Sequence, residues 1–226
     1  CAALGINSNM AFRLLRTMED TGYLSRDAKT GLYSLSLKVL KLSRMALQSL
    51  EIRKFAMPYL EMLWSSFPKA NINLGMRNGD EIIMVDRIDG NRLPRTYFTP
   101  GKAIPFHCTG LGKVLCSELS EEEVLGMIER AGGLKAYTAD TITDSGRLLE
   151  ELRRVREEEA GRDRNEYILN DNCSAVPIRD GEGRIVAAIS ASALSPNMTE
   201  EEIEGTIPQL RETANRISAL LGYQAV

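Results

Sequence analysis

The chain has 226 residues, enough for one large domain or two small ones, and its 43% hydrophobic and 26% charged side chains are the balance of a globular protein. No apolar run approaches the length of a bilayer span and no secretory leader pattern opens the chain, so a cytoplasmic protein without a membrane partner is expected. The net charge of −3 hides an asymmetry: residues 1–54 carry nine basic and four acidic side chains, which leaves −8 for the rest, and a basic front on an acidic body suggests that only the front meets a polyanion.

Residues 1–35 read as the end of one helix, a turn, a second helix and a hairpin. Gly5 suits a left-handed helix terminus. Asn7 or Ser8 can cap the following helix, in which Ala11, Leu14, Leu15 and Met18 recur at helical spacing before Gly22 stops it. Tyr23–Arg26 and Leu32–Leu35 read as short strands around the polar turn Asp27-Ala28-Lys29-Thr30-Gly31. That order is the order of a winged helix-turn-helix. The first residue is Cys1 rather than Met, so an upstream segment carrying the supporting helix of the motif is expected.

Residues 36–50 contain no proline or glycine and predict a linker helix striped by Leu37, Leu40 and Leu47. Residues 51–67 continue as helix, with a break expected near Met57 because Pro58 follows it. Ile72–Arg77 and Glu81–Ile88 flank Asn78-Gly79, a hairpin signal, and Leu93–Thr99 reads as a third strand. Helices are expected over Thr109–Glu118, over Glu121–Arg130 behind a Ser120 cap, and from Asp144 or Ser145 to about Ala160. Strands are expected over Arg162–Leu169, Ser174–Arg179 and Arg184–Ala193, the last two joined by the turn Asp180–Gly183, and a final helix over Glu200–Leu221 behind Thr199. Hairpin-linked strands with helices between them define an α+β fold rather than a parallel sheet. The domains expected are a partial winged helix-turn-helix over 1–35, a linker helix over 36–50 and a larger mixed domain over 51–226.

Several groups of residues can carry function. In the helix from Ser8 to Asp20, the first turn would face base edges in a major groove, which selects Ser8, Asn9 and Phe12. Arg13 and Arg16, with Arg26 and Lys29 in the wing, suit phosphates; a basic solvated face is the plainer reading. In Phe106-His107-Cys108-Thr109-Gly110-Leu111-Gly112-Lys113 a loop feeds a helix start, as an anion site would. The spacing is not that of a phosphate-binding Walker loop, and His107 has no evident partner for nucleophilic work with Cys108. Asp163 with Asn165 and Glu166, followed by Asp171-Asn172-Cys173, is a further candidate group. Ser190 and Ser192, two apart on a strand, face one side of a sheet, where they either donate to a carboxylate or merely fill space. The four cysteines lie far apart and there is one histidine, so reduced thiols are expected, with neither metal nor cofactor.

Together these segments resemble the IclR family of bacterial regulators over nearly the whole chain. The similarity is carried by Leu4–Ser8 with Arg13-Leu14-Leu15, by Gly22-Tyr23-Leu24 and Gly31–Leu35, and by Cys108–Leu115. It is also carried by Thr141–Asp144, Cys173–Asp180 and Val186–Ser192. The resemblance implies a GAF-like effector domain with a curved antiparallel sheet, operator DNA and a small organic acid as partners, and a homodimer or homotetramer. It implies a pocket built from the backbone of Gly110 and Leu111 with Asp163, Cys173, Ser190 and Ser192, walled near Tyr97 and Ile104. The chain departs from the family at Glu159-Ala160-Gly161, at Asn170 in place of a glycine, and at Asp171 in place of an apolar pocket residue, which points to a more polar ligand. Met10 and Phe12 replace more polar family residues in the recognition helix, so the operator sequence does not carry over. Two other readings stay open: a binding module without a DNA role, and a hydrolase using Cys108 or Cys173, against which the lack of a base argues.

Overall fold

A computed structural model describes residues 4–91 and 99–224. The chain divides into two compact units, Cys1–Leu50 and Glu51–Val226.

In the first unit, α1 (Ser8–Asp20) is capped by Asn7, whose side chain accepts from the Met10 N–H at 2.9 Å. Gly22 turns the chain out of α1 at φ +76°, as expected of a glycine stop. The antiparallel hairpin of β1 (Leu24–Arg26) and β2 (Tyr33–Leu35) follows, its turn organised by Asp27, which accepts from the N–H groups of Lys29 and Thr30. Lys38 ties the hairpin's end back to α1: its Nζ donates to the Thr21 carbonyl at 2.6 Å and lies over the Tyr23 ring. Helix α2 spans Val39–Ser49.

The second unit begins with α3 (Glu51–Ser66), which runs through Pro58 without the break expected near Met57. The buried stripe Ile52, Ala56, Leu60 and Leu63 fixes the helix, while Pro58 and Lys54 are exposed. The Lys54 carbonyl that Pro58 leaves without an N–H partner therefore sits on the solvent side, where its loss costs least. Strands β3 (Asn71–Asn78) and β4 (Glu81–Ile88) form the expected hairpin. Gly79 takes the first of its two turn positions, at φ +61°. The strand expected over Leu93–Thr99 falls, apart from Thr99, outside the described residues. A two-residue strand that the sequence did not suggest, β5 (Ala103–Ile104), pairs with β4.

Helices α4 (Gly110–Cys116), α5 (Glu121–Arg130) and α6 (Ser145–Glu158) are capped by Thr109, Ser120 and Asp144. β6 covers only Gly161–Arg164, shorter than the expected run to Leu169, because Asn165 (φ +61°) and Asn170 (φ +62°) turn the chain into a loop between them. β7 (Asp171–Arg179) and β8 (Ile185–Leu194) are the longest strands. The expected final helix is two, α7 (Glu200–Glu204) and α8 (Ile207–Leu220). Gly205 and Pro208 lie at the junction, and a proline near a helix start favours a new initiation.

All pairings are antiparallel, and the large sheet has the order β5-β4-β3-β8-β7-β6. The fold is α+β with a curved antiparallel sheet, bulged at Leu74/Gly75 and at Ile178/Arg179. Side chains of α4, α5 and α6 bury against Ala175 and Ala188 on one face. The pleat then sends Val176 and Ile178 to the other face, where α8 packs on β7 and α3 on β3. Close approach on the α4 face needs glycine: a Cβ on Gly161 would come within 2.6 Å of the Gly110 carbonyl, and one on Gly110 within 3.1 Å of the Cys173 sulfur.

Candidate effector cavity and DNA face

Strand register sets out the cavity. Asp163, Cys173 and Ser192 are successive cross-strand partners on β6, β7 and β8, and Ala175, Ser190 and Asn73 form the neighbouring row across β7, β8 and β3. Paired residues of an antiparallel sheet share a face, and residues two apart share it too. Asp171, two before Cys173, therefore belongs to the same face, as does Arg87, paired with Asn73 from β4.

The start of α4 roofs this floor. The resulting cavity is lined by Ile104, Gly110, Leu111, Asp163, Asp171, Cys173, Ser190 and Ser192, together with Asn73, Met84, Arg87, Thr109 and Tyr167. Eight of the nine effector residues named from the sequence thus meet in one place; the ninth, Tyr97, lies outside the described residues. A water-sized sphere finds about 30 Å³ of free space there, room for little more than a water with the lining as it stands.

The two serine hydroxyls are buried. The Asn73 amide donates to Ser190 Oγ at 3.1 Å and to Ser192 Oγ at 3.4 Å. Each hydroxyl oxygen is thus engaged as an acceptor; the Ser190 hydrogen points to the Cys173 sulfur, a weak acceptor, and the Ser192 hydrogen is left to donate. Ser190 and the Gly110 N–H both hydrogen-bond the Cys173 sulfur. Asp163 accepts from the Glu166 N–H at 2.7 Å, yet burial pushes its carboxyl well above the usual range. Asp171 is pushed up to about 6 by burial, against the pull of Arg87.

Beside this cavity, Lys113 is enclosed completely. Its ammonium donates to Glu166 at 2.5 Å, to the Arg162 carbonyl at 2.8 Å and to Glu151 at 3.4 Å. This lysine is a tie between α4, α6 and the loop after β6, which explains its place next to glycine without any phosphate chemistry. His107 Nε2 donates to the Lys135 carbonyl at 3.0 Å, and burial lowers the imidazole pKa. Burial raises the thiols of Cys108, Cys116 and Cys173, the opposite of what a nucleophilic thiolate requires.

Sequence reasoning missed Asn73 and Arg87. Asn73 had a signal: with Asn71 it repeats at a spacing of two inside a buried strand, as Ser190 and Ser192 do. Arg87 had none, because an arginine near a strand end reads as solvent-facing.

On the first unit, Ser8, Asn9, Phe12, Arg13 and Arg16 are all exposed and fall within about 140° of the α1 circumference at 100° per residue. Asn9 and Ser8 stand in its first turn. Arg16 is loosely paired with Asp20 at 3.9 Å. In the hairpin, Arg26 lies over the Tyr33 ring and donates to the Gly31 carbonyl, and Lys29 is exposed at the tip.

A helix leading into a two-stranded wing, and an antiparallel sheet whose one face holds a polar cavity, define a regulator that couples a nucleic-acid face to a sensory domain. The comparisons with known proteins identify which. The family described as Bacterial transcriptional regulator IclR C-terminal matches residues 44–219. The chain is 32% identical to the HTH-type transcriptional regulator KdgR of Escherichia coli over 96% of this chain and 82% of that protein. It is 29% identical to the HTH-type transcriptional repressor AllR of the same organism over 98% of this chain and 81% of that protein. The crystal structure of the Thermotoga maritima IclR superposes with a TM-score of 0.76 at 26% identity, covering 98% of this chain and 89% of that one. A regulator from Rhodococcus superposes at 0.77 with 28% identity, covering 93% of this chain and 83% of that one. The chain belongs to the IclR family of bacterial transcriptional regulators. These relatives are regulators and not enzymes, in agreement with the raised thiols.

Proposed function

We propose that the chain binds operator DNA through residues 1–35 and a small organic acid in the cavity of residues 51–226, with 36–50 as the linker between them. The observation that carries the effector assignment is the pair Ser190 and Ser192, buried and held by Asn73 as acceptors; a ligand carboxylate takes the Ser192 hydrogen directly and the Ser190 hydrogen from the weakly accepting Cys173 sulfur. Two donors on one strand face suit a group with two acceptor oxygens, a carboxylate. Gly110 and Leu111 line the same end, and Cys173 packs beside them. Asp163 takes a hydroxyl or ammonium elsewhere on the ligand, Asp171 adds polarity, and Ile104 and Tyr97 supply apolar wall.

The DNA assignment rests on the exposed basic face of α1 and the hairpin. Ser8, Asn9 and Phe12 meet base edges, while Arg13, Arg16, Arg26 and Lys29 meet phosphates. The relatives' description as HTH-type regulators supports it. The protein works as a homodimer or homotetramer on a two-fold operator and, with DNA as its partner, in the cytoplasm. Among the described residues no helix is long and apolar enough to cross a membrane.

Calorimetric titration of wild type, Ser190→Ala and Ser192→Ala with small carboxylic acids tests the effector assignment. Each alanine is expected to weaken binding about ten- to a hundred-fold, on the order of 1–3 kcal/mol, while leaving the unfolding temperature unchanged. Equal affinity in all three proteins makes the serines packing residues. On DNA, Arg13→Ala is expected to weaken all duplexes alike and Asn9→Ala to change base preference. A sequence-selective loss from Arg13→Ala would mean that α1 presents a different face.

A further inference from the structure

The side-chain amide of Asn73 is only half used. Its Nδ2 donates to Ser190 Oγ at 3.1 Å and to Ser192 Oγ at 3.4 Å, which occupies both amide hydrogens. Its oxygen, Oδ1, is buried and accepts from no group among the described residues. Asn73 as a whole is 4% exposed and lines the effector cavity. The reverse orientation, with Oδ1 on the two hydroxyls, would need both serine hydrogens, and that of Ser190 goes to the Cys173 sulfur. An enclosed amide oxygen without a donor is costly, and it persists where a site uses it. The oxygen and nitrogen of an amide are about 2.3 Å apart, so Oδ1 stands within about 6 Å of each serine hydroxyl.

We propose that Asn73 Oδ1 accepts from a hydroxyl on the carbon next to the ligand's carboxylate, so the effector is a small 2-hydroxy acid. This rests on the carboxylate assignment above. A carboxylate on Ser190 and Ser192 lies beside the amide that holds both serines, and its C2 substituent is the nearest part of the ligand able to reach Oδ1. A hydroxyl there donates, whereas a C2 methylene or oxo group brings no hydrogen and leaves Oδ1 enclosed and unpaired. An ammonium at C2 brings a charge and three donors, and Asn73 offers it one neutral acceptor. Asp163 stands on β6, three strands from Asn73 on β3, so the two acceptors address different ends of the ligand. The free space of about 30 Å³ keeps the class to acids of few carbons.

Calorimetry on the full chain compares three-carbon acids that differ at C2: lactate (the tighter-binding enantiomer), pyruvate, propionate and alanine, with 3-hydroxypropionate as the positional control. Wild type is expected to bind lactate tighter than each of the others by about tenfold or more. Asn73→Ala removes the acceptor and is expected to bind lactate, pyruvate and propionate alike, all more weakly because the serines lose their tie. If Asn73→Ala is poorly folded, 2-methoxypropionate on wild type decides. It keeps the oxygen at C2 and lacks the hydrogen, so it is expected to bind no better than propionate; affinity equal to that of lactate overturns the proposal. Lactate bound no tighter than propionate, pyruvate, alanine or 3-hydroxypropionate by wild type also overturns it, and so does a lactate preference that survives in Asn73→Ala. Where Ser192→Ala still loses affinity in those cases, the carboxylate assignment stands and only the role of Asn73 falls. No binding of any of these acids to wild type overturns both.

Discussion

The two units differ in how much they enclose: the first leaves apolar side chains open, and the second buries polar groups together with its apolar core. In the first, neither α1 nor α2 buries any side chain, and Leu24 is the one buried position among the described residues up to Leu50. Large apolar side chains stand open there, Phe12 at 52% and Leu37 at 83% exposure. In the second unit the apolar core is closed, and polar groups are enclosed with it: Lys113, Asp163, Glu166, Asp171, Ser190 and Ser192. An exposed apolar helix face is unfinished surface, of the sort that macromolecular contacts cover. A buried, hydrogen-bonded polar set costs stability and persists where a site needs it. On the function proposed above, the two units would carry recognition in different physical forms, one on the outside and one within.

The contrast is broken most forcefully at Lys113. Replacing it by Met leaves Glu166 and the Arg162 carbonyl enclosed without their cation, and denaturant unfolding is expected to show a loss of about 3–5 kcal/mol. Adding Glu166→Gln should recover part of that loss, because the orphaned charge is then gone. A cost near zero for the single variant would mean that water reaches this cluster and that the interior is less closed than described.

A smaller effect is expected at Asp171. Its carboxyl titrates at about 6 in the folded chain against an ordinary 3.8, so the folded state holds the proton more tightly than the unfolded one. The associated stability is complete below about pH 3.8 and is lost as pH rises through about 6. Asp171→Asn is therefore expected to gain about 1–3 kcal/mol at pH 7.5 and nothing at pH 3.5. Arg87, Asp163, Tyr167 and Cys173 share the cavity with this carboxyl, so the wild-type chain at each pH is the reference. A gain independent of pH would assign the effect to packing. Smallest of all, Phe12→Ser on α1 should shift thermal unfolding by no more than about 0.5 kcal/mol. A larger loss would show that Phe12 is packed and that the first unit is not open after all.

Much of this was legible in the residues. Caps announced themselves at Ser120 and Thr199, and to within one residue at Asn7 or Ser8 and at Asp144 or Ser145, because a side-chain oxygen before a helical run has a local job. The β3–β4 hairpin was legible from Asn78-Gly79. What escaped depends on partners far away in sequence. Helix α3 survives Pro58 because the burial of Ile52, Ala56 and Leu60 outweighs one lost hydrogen bond. Strand β5 is two residues long and exists only by pairing with β4. At the cavity, Ser190 and Ser192 were visible by their spacing and Asp163 and Cys173 as parts of a polar stretch, whose place in a pocket came from the family resemblance. Arg87 stayed hidden because its place comes from register across β4, β3 and β8, which no local pattern encodes, whereas Asn73 did leave a local sign in its spacing of two from Asn71.

The claim that the two units act together is tested most directly by coupling. Duplexes selected from a random pool on the full chain supply the DNA, and fluorescence anisotropy measures their affinity with and without a saturating acid that calorimetry shows to bind. Binding should weaken steeply with added salt, as phosphate contacts release counterions. The acid should shift DNA affinity by about fivefold or more in either direction, and Ser190→Ala should abolish the shift at the same acid concentration. An acid that binds the cavity and leaves DNA affinity unchanged would contradict the account, and so would DNA binding that ignores salt.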